Sequence, residues 1–199
     1  MFFKQILSEY MKNFSYIVAD EKTKEAVVID PGYDTSEILK IIKANEFKVK
    51  YIINTHSHQD HIAGNVEIQD KTKAEIMMHE STAMPCDYYV KDGEEISIGS
   101  VKLKILHTPG HISDHICIFI NNQKLLTGDL LFVGGIGATG PNFPTSNKEQ
   151  MTESLRKIIS LGDEVEVWPG HDYGQARSST IGREKRTNPF LQEVLIRNK

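Results

Sequence analysis

The sequence predicts an α/β protein of the α+β type, built as two mixed β-sheets packed together with helices on their outer faces. Three observations carry that expectation. Short apolar runs bounded by turn residues recur along the chain, several of them at hairpin spacing. Two amphipathic stretches with capping signals interrupt the strands. One strand, centred on Tyr51-Ile52-Ile53, is apolar on both faces and therefore expects cover on both sides. Strands in hairpins with helices spaced between them pack as layers, although periodicity alone leaves the order of the layers open.

Taken in order, residues 2–7, 16–19 and 26–29 read as strands, the last closed by Asp30-Pro31-Gly32. Asp34 with Glu37 three residues on resembles a capping box, and Ile38, Leu39, Ile41 and Ile42 form the apolar stripe of a helix. Residues 50–55 form the doubly buried strand. Residues 96–98 and 101–106 flank Gly99-Ser100, and residues 116–120 and 124–127 flank Asn121-Asn122, which predicts two hairpins. Ser146 and Glu149 give a second capping box ahead of Met151, Leu155, Ile158 and Ile159, with Gly162 as the stop. Residues 165–168 read as a last strand and residues 180–186 as a polar helix. No repeat, low-complexity stretch or linker divides the chain, so residues 1–199 are read as one domain.

Composition narrows the function. At 199 residues with 39% hydrophobic and 25% charged side chains, the chain can bury a core. Its formal net charge of −4 argues against a nucleic-acid partner. No apolar run reaches the ~18 residues of a membrane helix, and residues 1–14 lack a signal-peptide core. Two cysteines are too few for a disulfide scaffold, so a cytoplasmic protein with free thiols is expected. Eight histidines are the anomaly.

Their placement is informative. His56, His58, Asp60 and His61 follow the buried strand within six residues. In an extended stretch residues two apart point the same way, so His56 and His58 can converge, and the turn beyond them carries Asp60 and His61 to a second point. His111, Asp129 and His171 each follow a strand and a glycine, which presents them at a sheet rim. The seven partition into two ion sites. His56, His58 and His111 hold one metal, Asp60, His61 and His171 hold a second, and Asp129 bridges. Imidazole and carboxylate suit zinc first, with iron or manganese as the alternatives. Two such ions lower the pKa of a shared water to about 7 and polarise a carbonyl, which predicts hydrolysis of an activated ester with Asp60 and Asp129 in the catalytic set.

The order His-x-His-x-Asp-His, then His111, Asp129 and His171 at wide spacing, resembles the metallo-β-lactamase superfamily. The resemblance runs from Ile29-Asp30-Pro31-Gly32 to Asn188-Pro189-Phe190. It implies a four-layered αββα sandwich with the metal site at one edge. Thr127-Gly128-Asp129-Leu130-Leu131-Phe132 and Pro169-Gly170-His171-Asp172-Tyr173 look most like glyoxalase II and the related persulfide dioxygenases. That resemblance implies contact of Tyr173 with a small thiol-linked substrate, and a structural role for Asp30 behind the ligands. Two departures stand out. The C-terminal helical domain of glyoxalase II is not expected in this chain. Where both branches tend to place a cation after Gly-x-Gly, Gly135-Ile136-Gly137 is followed by Ala138. A missing charge-assisted hydrogen bond is worth about 1.5–3 kcal/mol, which tells against glutathione as the thiol.

The expected function is thus a glyoxalase II-like metallohydrolase cleaving a small thioester. The alternative is a persulfide dioxygenase with one iron on His56, His111 and Asp129, the two-His-one-carboxylate arrangement; lactonase and phosphodiesterase activities rank lower. His115, close to His111, is expected to support the ligands from behind. His79 and His107 are expected to be structural, Cys117 to lie in the core, and Cys86 to be an unactivated loop thiol. Arg177, Arg183, Lys185 and Arg186 form a basic cluster, read as a solvated helix face or a rim contact for an anionic substrate. Oligomeric state is not legible.

Overall fold

A computed structural model describes residues 1–196. The first sheet contains β1 (Phe2–Leu7), β2 (Phe14–Ala19), β3 (Glu25–Ile29), β4 (Lys48–Ile53), β5 (Glu75–His79) and β6 (Tyr88–Val90), paired in that order. Its first three strands are antiparallel neighbours, and β3 through β6 run parallel. Parallel neighbours need crossovers. Helices supply them in two cases, α1 (Ser36–Asn45) between β3 and β4, and α2 (Gln59–Ile62) with α3 (Asn65–Thr72) between β4 and β5, while residues 80–87 join β5 to β6 as a loop.

The second sheet contains β7 (Glu95–Ile98), β8 (Val101–His107), β9 (Ile116–Ile120) and β10 (Lys124–Gly128), joined as antiparallel neighbours. A short ribbon follows, β11 (Leu131–Phe132) with β12 (Gly135–Ile136). Helix α4 (Lys148–Ile159) then crosses over to β13 (Glu166–Pro169), which pairs parallel with β10, and β14 (Ser179–Thr180) closes that edge. Helices α5 (Ile181–Thr187) and α6 (Pro189–Ile196) end the described chain.

Three apolar clusters occupy three interlayer spaces, and together they fix the layer order as αββα. Tyr16, Val18, Val27, Ile29 and Ile53 of the first sheet meet Leu103, Ile105, Ile116, Ile118 and Leu126 of the second. The alternate residues Ile17, Ala19, Val28 and Ile52 face outward onto Ile38, Ile41 and Ile42 of α1 and Ile68 of α3. Cys117, Phe119, Leu125 and Val167 likewise face Met151, Leu155 and Ile158 of α4 and Leu191 and Val194 of α6. Residues covered on both faces read as continuous buried strands, which is why β2 and β9 show no alternation.

Both capping boxes need correction. Helix α1 starts after Thr35, which makes no side-chain cap bond. Asp34 Oδ1 instead accepts from Ser36 N and Oγ (3.0 and 2.6 Å), and Glu37 pairs outward with Lys40. The cap of α4 is Asn147, whose side chain accepts from Gln150 N at 2.9 Å, because the Ser146 hydroxyl is engaged by Gly140 N. That helix ends at Ile159 with Ser160 as its cap, so Gly162 lies beyond the stop. Strand β4 ends at Ile53, two residues before the expected limit, because Asn54 turns into the fold to bond the His61 carbonyl and Asn65. The hairpin turns stand as expected, with Gly99, Asn121 and Asn122 all at positive φ. Among the described residues, no helix is long and apolar enough to cross a membrane.

Candidate metal centre

The seven expected ligands meet at one edge of the sandwich, where β3, β4, β8, β10 and β13 end. Behind β4 the chain bends at Thr55 and His56, is extended at His58 and then winds into α2, which sets Asp60 and His61 beside the first pair. His58 Nδ1 lies 3.0 Å from both His56 Nε2 and His111 Nε2, so three ring nitrogens converge. A second group joins His61 Nε2 and His171 Nε2, 3.2 Å apart, with Asp60 Oδ2 at 3.4 Å from His171 and 3.8 Å from His61. Asp129 stands between the groups, Oδ1 at 3.5 Å from His61 and Oδ2 at 3.3 Å from His171 and 3.6 Å from His111. Gly170 makes room for this approach. A Cβ there would meet Asp129 Oδ1 at 2.5 Å and His61 at 3.0 Å.

The far side of each ring shows what the near side is for. His56 Nδ1 faces Thr55 Oγ1 (3.0 Å), and that hydroxyl is itself bonded to Asp30. His61 Nδ1 faces Asp30 Oδ2 (3.0 Å), His111 Nδ1 the Ala138 carbonyl (2.8 Å), and His171 Nδ1 the Met11 carbonyl (3.0 Å). Acceptors at Nδ1 place the proton of these four rings there and turn Nε2 inward, that of His56 and His111 toward His58 Nδ1 and that of His61 and His171 toward each other. Lone pairs about 3 Å apart repel unless a cation lies between them. Asp129 Oδ1 is also buried without a hydrogen-bond partner. Five imidazoles and two carboxylates, one of them with an unmet buried oxygen, fit two divalent cations.

The electrostatics of these side chains agree. Burial and the facing imidazoles of His61, His115 and His111 push His56 well below its ordinary pKa. Burial pulls His61 down too, but Asp30, Asp129 and Asp60 outweigh it and hold the ring up at about 9. Burial opposes ionisation of Asp129, yet His61, His171 and His111 keep it well below the carboxylate range.

Asp30 lies behind the ligands as expected. Its Oδ1 accepts from Thr55 N (2.7 Å), and its Oδ2 from Thr55 Oγ1 (2.6 Å) and His61. His115 is fully buried and accepts from Asp129 N at Nε2 (3.1 Å), with Nδ1 facing Thr108 Oγ1 (2.9 Å). Burial and the neighbouring His111 push its pKa down to about 3. Because the unfolded value is near ~6.5, the stability tied to neutral His115 is complete above that pH and is lost as pH falls toward 3. In chelator-treated protein, urea unfolding at pH 7.5 and 5.0 should show His115→Gln losing less stability on acidification than the parent. Equal losses would remove His115 from the acid response.

Tyr173 is exposed at the rim. Its ring stacks on His171 (4.5 Å, 9°) and its hydroxyl donates to the Met11 carbonyl at 3.3 Å. It shares a cavity of about 500 Å³ with Arg183. A larger cavity of about 930 Å³ lies on the other side, lined by Ala138, Phe143, Met151, Leu155, Phe190 and Val194 among others. Phe143 links it to the centre, its ring 5.3 Å from that of His111. The remaining singled-out residues lie elsewhere. His79 and His107 stack on each other at 3.7 Å and bond Ser81 and the Ser113 carbonyl. Cys117 is in the core with its thiol pushed up to about 12 by burial, and burial also raises Cys86. Lys185 and Arg177 face Asp163 and Asp172. Sequence reasoning missed Thr55, Thr108 and Asn13. A hydroxyl directly before a ligand was readable for Thr55, whereas Thr108 lies three residues before His111 and nothing near Asn13 in sequence announces the site.

A sandwich of two mixed sheets with an imidazole–carboxylate cluster at one edge is the build of a metal-dependent enzyme. The model of the metallo-beta-lactamase superfamily matches residues 11–171. The chain belongs to that superfamily. It is similar to hydroxyacylglutathione hydrolase GloC of Haemophilus influenzae, 31% identical over 209 residues that cover 93% of this chain and 95% of that protein. A hydroxyacylglutathione hydrolase of Pelagibacter ubique is 33% identical over 192 residues, covering 94% and 78%. Among solved structures, ETHE1 from Myxococcus xanthus superposes with a TM-score of 0.90 at 31% identity, covering 99% of this chain and 89% of that one.

Proposed function

We propose that the protein hydrolyses small thioesters, using two divalent ions, zinc first, in a reducing cytoplasmic setting. The observation that carries this reading is the placement of Asp129, whose Oδ2 lies between His111 of one imidazole set and His171 of the other while its Oδ1 faces His61, each set complete without it. When bound, a pair of ions supplies a nucleophile at neutral pH and a Lewis acid for the thioester carbonyl. The chain's own residues do the rest. His56, His58 and His111 would hold one ion and Asp60, His61 and His171 the other, while Asp30, Ala138 and Met11 fix the rings that contact them. Asp129 adds the negative charge that balances the imidazole-rich edge.

The two cavities divide the substrate. The apolar cavity beside Phe143 takes the acyl arm, and the Tyr173–Arg183 side takes the thiol carrier, with Arg183 supplying a cation where Ala138 supplies none. Similarity to two hydroxyacylglutathione hydrolases supports thioester cleavage. The likeness to ETHE1 favours a second reading, one iron and persulfide oxidation.

One set of assays separates them. Metal content, thiol release from an acyl-chain series and oxygen uptake with a persulfide are measured on the same preparation. Two ions, thiol release and a kcat/KM that rises with acyl length support the proposal, as does a raised KM of Arg183→Gln for anionic thiol carriers alone. Iron-dependent oxygen uptake without thiol release overturns it.

A further inference from the structure

The turn between β1 and β2, with the first residue of β2, reaches the centre through four consecutive residues, Met11 to Phe14. The Met11 carbonyl accepts from His171 Nδ1 (3.0 Å), the Lys12 carbonyl from Asp172 N (2.9 Å), and Gly170 O from Phe14 N (2.8 Å). Asn13 forms a β-bridge with His171, and its Nδ2 donates to Asp60 Oδ2 at 3.0 Å. Two of the three members of the second ligand set, Asp60 and His171, are therefore held by this turn. Met11 and Lys12 both adopt φ of 56°, left-handed backbone unfavourable for side chains of their kind.

The Asn13 amide is an expensive group for its place. It is 2% exposed, and its Oδ1 is buried with no partner. A half-satisfied buried amide is disfavoured relative to an apolar side chain of similar shape. Flipping it would bring Oδ1 against a carboxylate oxygen, so the orientation is set by Asp60. The satisfied half does one thing, which is to fix the carboxylate oxygen that faces His61 and His171.

We infer that Asn13 is a positioning residue for the ion held by Asp60, His61 and His171, and that the β1–β2 turn is part of the metal centre. This rests on the two-ion reading above. Asn13 holds Asp60 Oδ2 in ligating position while Met11 holds the His171 ring. Residues behind metal ligands typically contribute about 10–100-fold in metal affinity.

The test is calorimetric titration of the chelator-treated protein with Zn²⁺, using the parent, Asn13→Leu, and both in a His171→Ala background, where the His56, His58 and His111 set alone is complete. The expected result is a 10–100-fold weaker second ion in Asn13→Leu, with no effect of the same substitution in the His171→Ala background. Two ions bound with parental affinity overturn the inference, and so does equal weakening of both sites, which would mark a general structural role. A parent that takes up one ion overturns the two-ion reading itself. Should Asn13→Leu not fold by circular dichroism, Asn13→Ser, which also removes the amide donor, decides on the same criteria.

Discussion

Asp129→Asn is expected to lower the turnover of whichever thioester the parent cleaves by about a thousand-fold or more, equivalent to ~4 kcal/mol of transition-state stabilisation. The substitution keeps the shape of a residue that is buried and tightly surrounded, so the fold should survive it. It removes the carboxylate that lies 3.3–3.6 Å from His171, His61 and His111. Without that charge, one edge of the sandwich presents five neutral imidazoles and only Asp60 to balance two dications. Elemental analysis should find fewer than two ions per chain, and the far-ultraviolet spectrum should match the parent. A variant that keeps two ions and most of its turnover would take the bridging role away from Asp129.

How much of this was legible in the sequence depends on whether the signal was local. His56, His58, Asp60 and His61 sit within six residues, and the strand-then-turn grammar around them was enough to predict convergence. His111, Asp129 and His171 were readable because each follows a strand and a glycine. The two-sheet architecture followed from hairpins whose turn residues carry positive φ. Other elements had no such grammar. Helix α3 buries only Asn65 and Ile68, so it has no apolar stripe to read. The parallel edge β5–β6 lies in residues 75–90, where Tyr88 and Tyr89 are exposed and alternation fails. The cap assignments slipped by one residue because Asn147 competes with Ser146, and Asp34 with Thr35, and only tertiary partners decide between them. Asn13 was beyond reach for a different reason. Its function arises from contact with Asp60, forty-seven residues away in the chain.

Asp30 makes a separable prediction, because one side chain there serves both the fold and the ligands. It is 2% exposed, sits at φ 48°, and accepts from Thr55 N, Thr55 Oγ1 and His61 Nδ1. Asp30→Ala leaves all three donors unpaired in the interior, at about 1–3 kcal/mol each, and places a residue poorly suited to left-handed backbone. Even at the low end the loss is about 3 kcal/mol, which for a chain of this size lowers the melting temperature by about 6–12 °C. Asp30→Asn should behave differently. Asparagine tolerates the backbone, and its oxygen can keep the Thr55 N bond. Its Nδ2 would then face His61 Nδ1 as a donor, which favours the tautomer with the proton on Nε2, the atom aimed at His171 and Asp129. The expected outcome is near-parental melting of the ion-free protein with zinc affinity down by about 10–100-fold. If Asp30→Asn bound both ions like the parent, the carboxylate would not be what sets the His61 proton, and the ring would owe its orientation to packing alone.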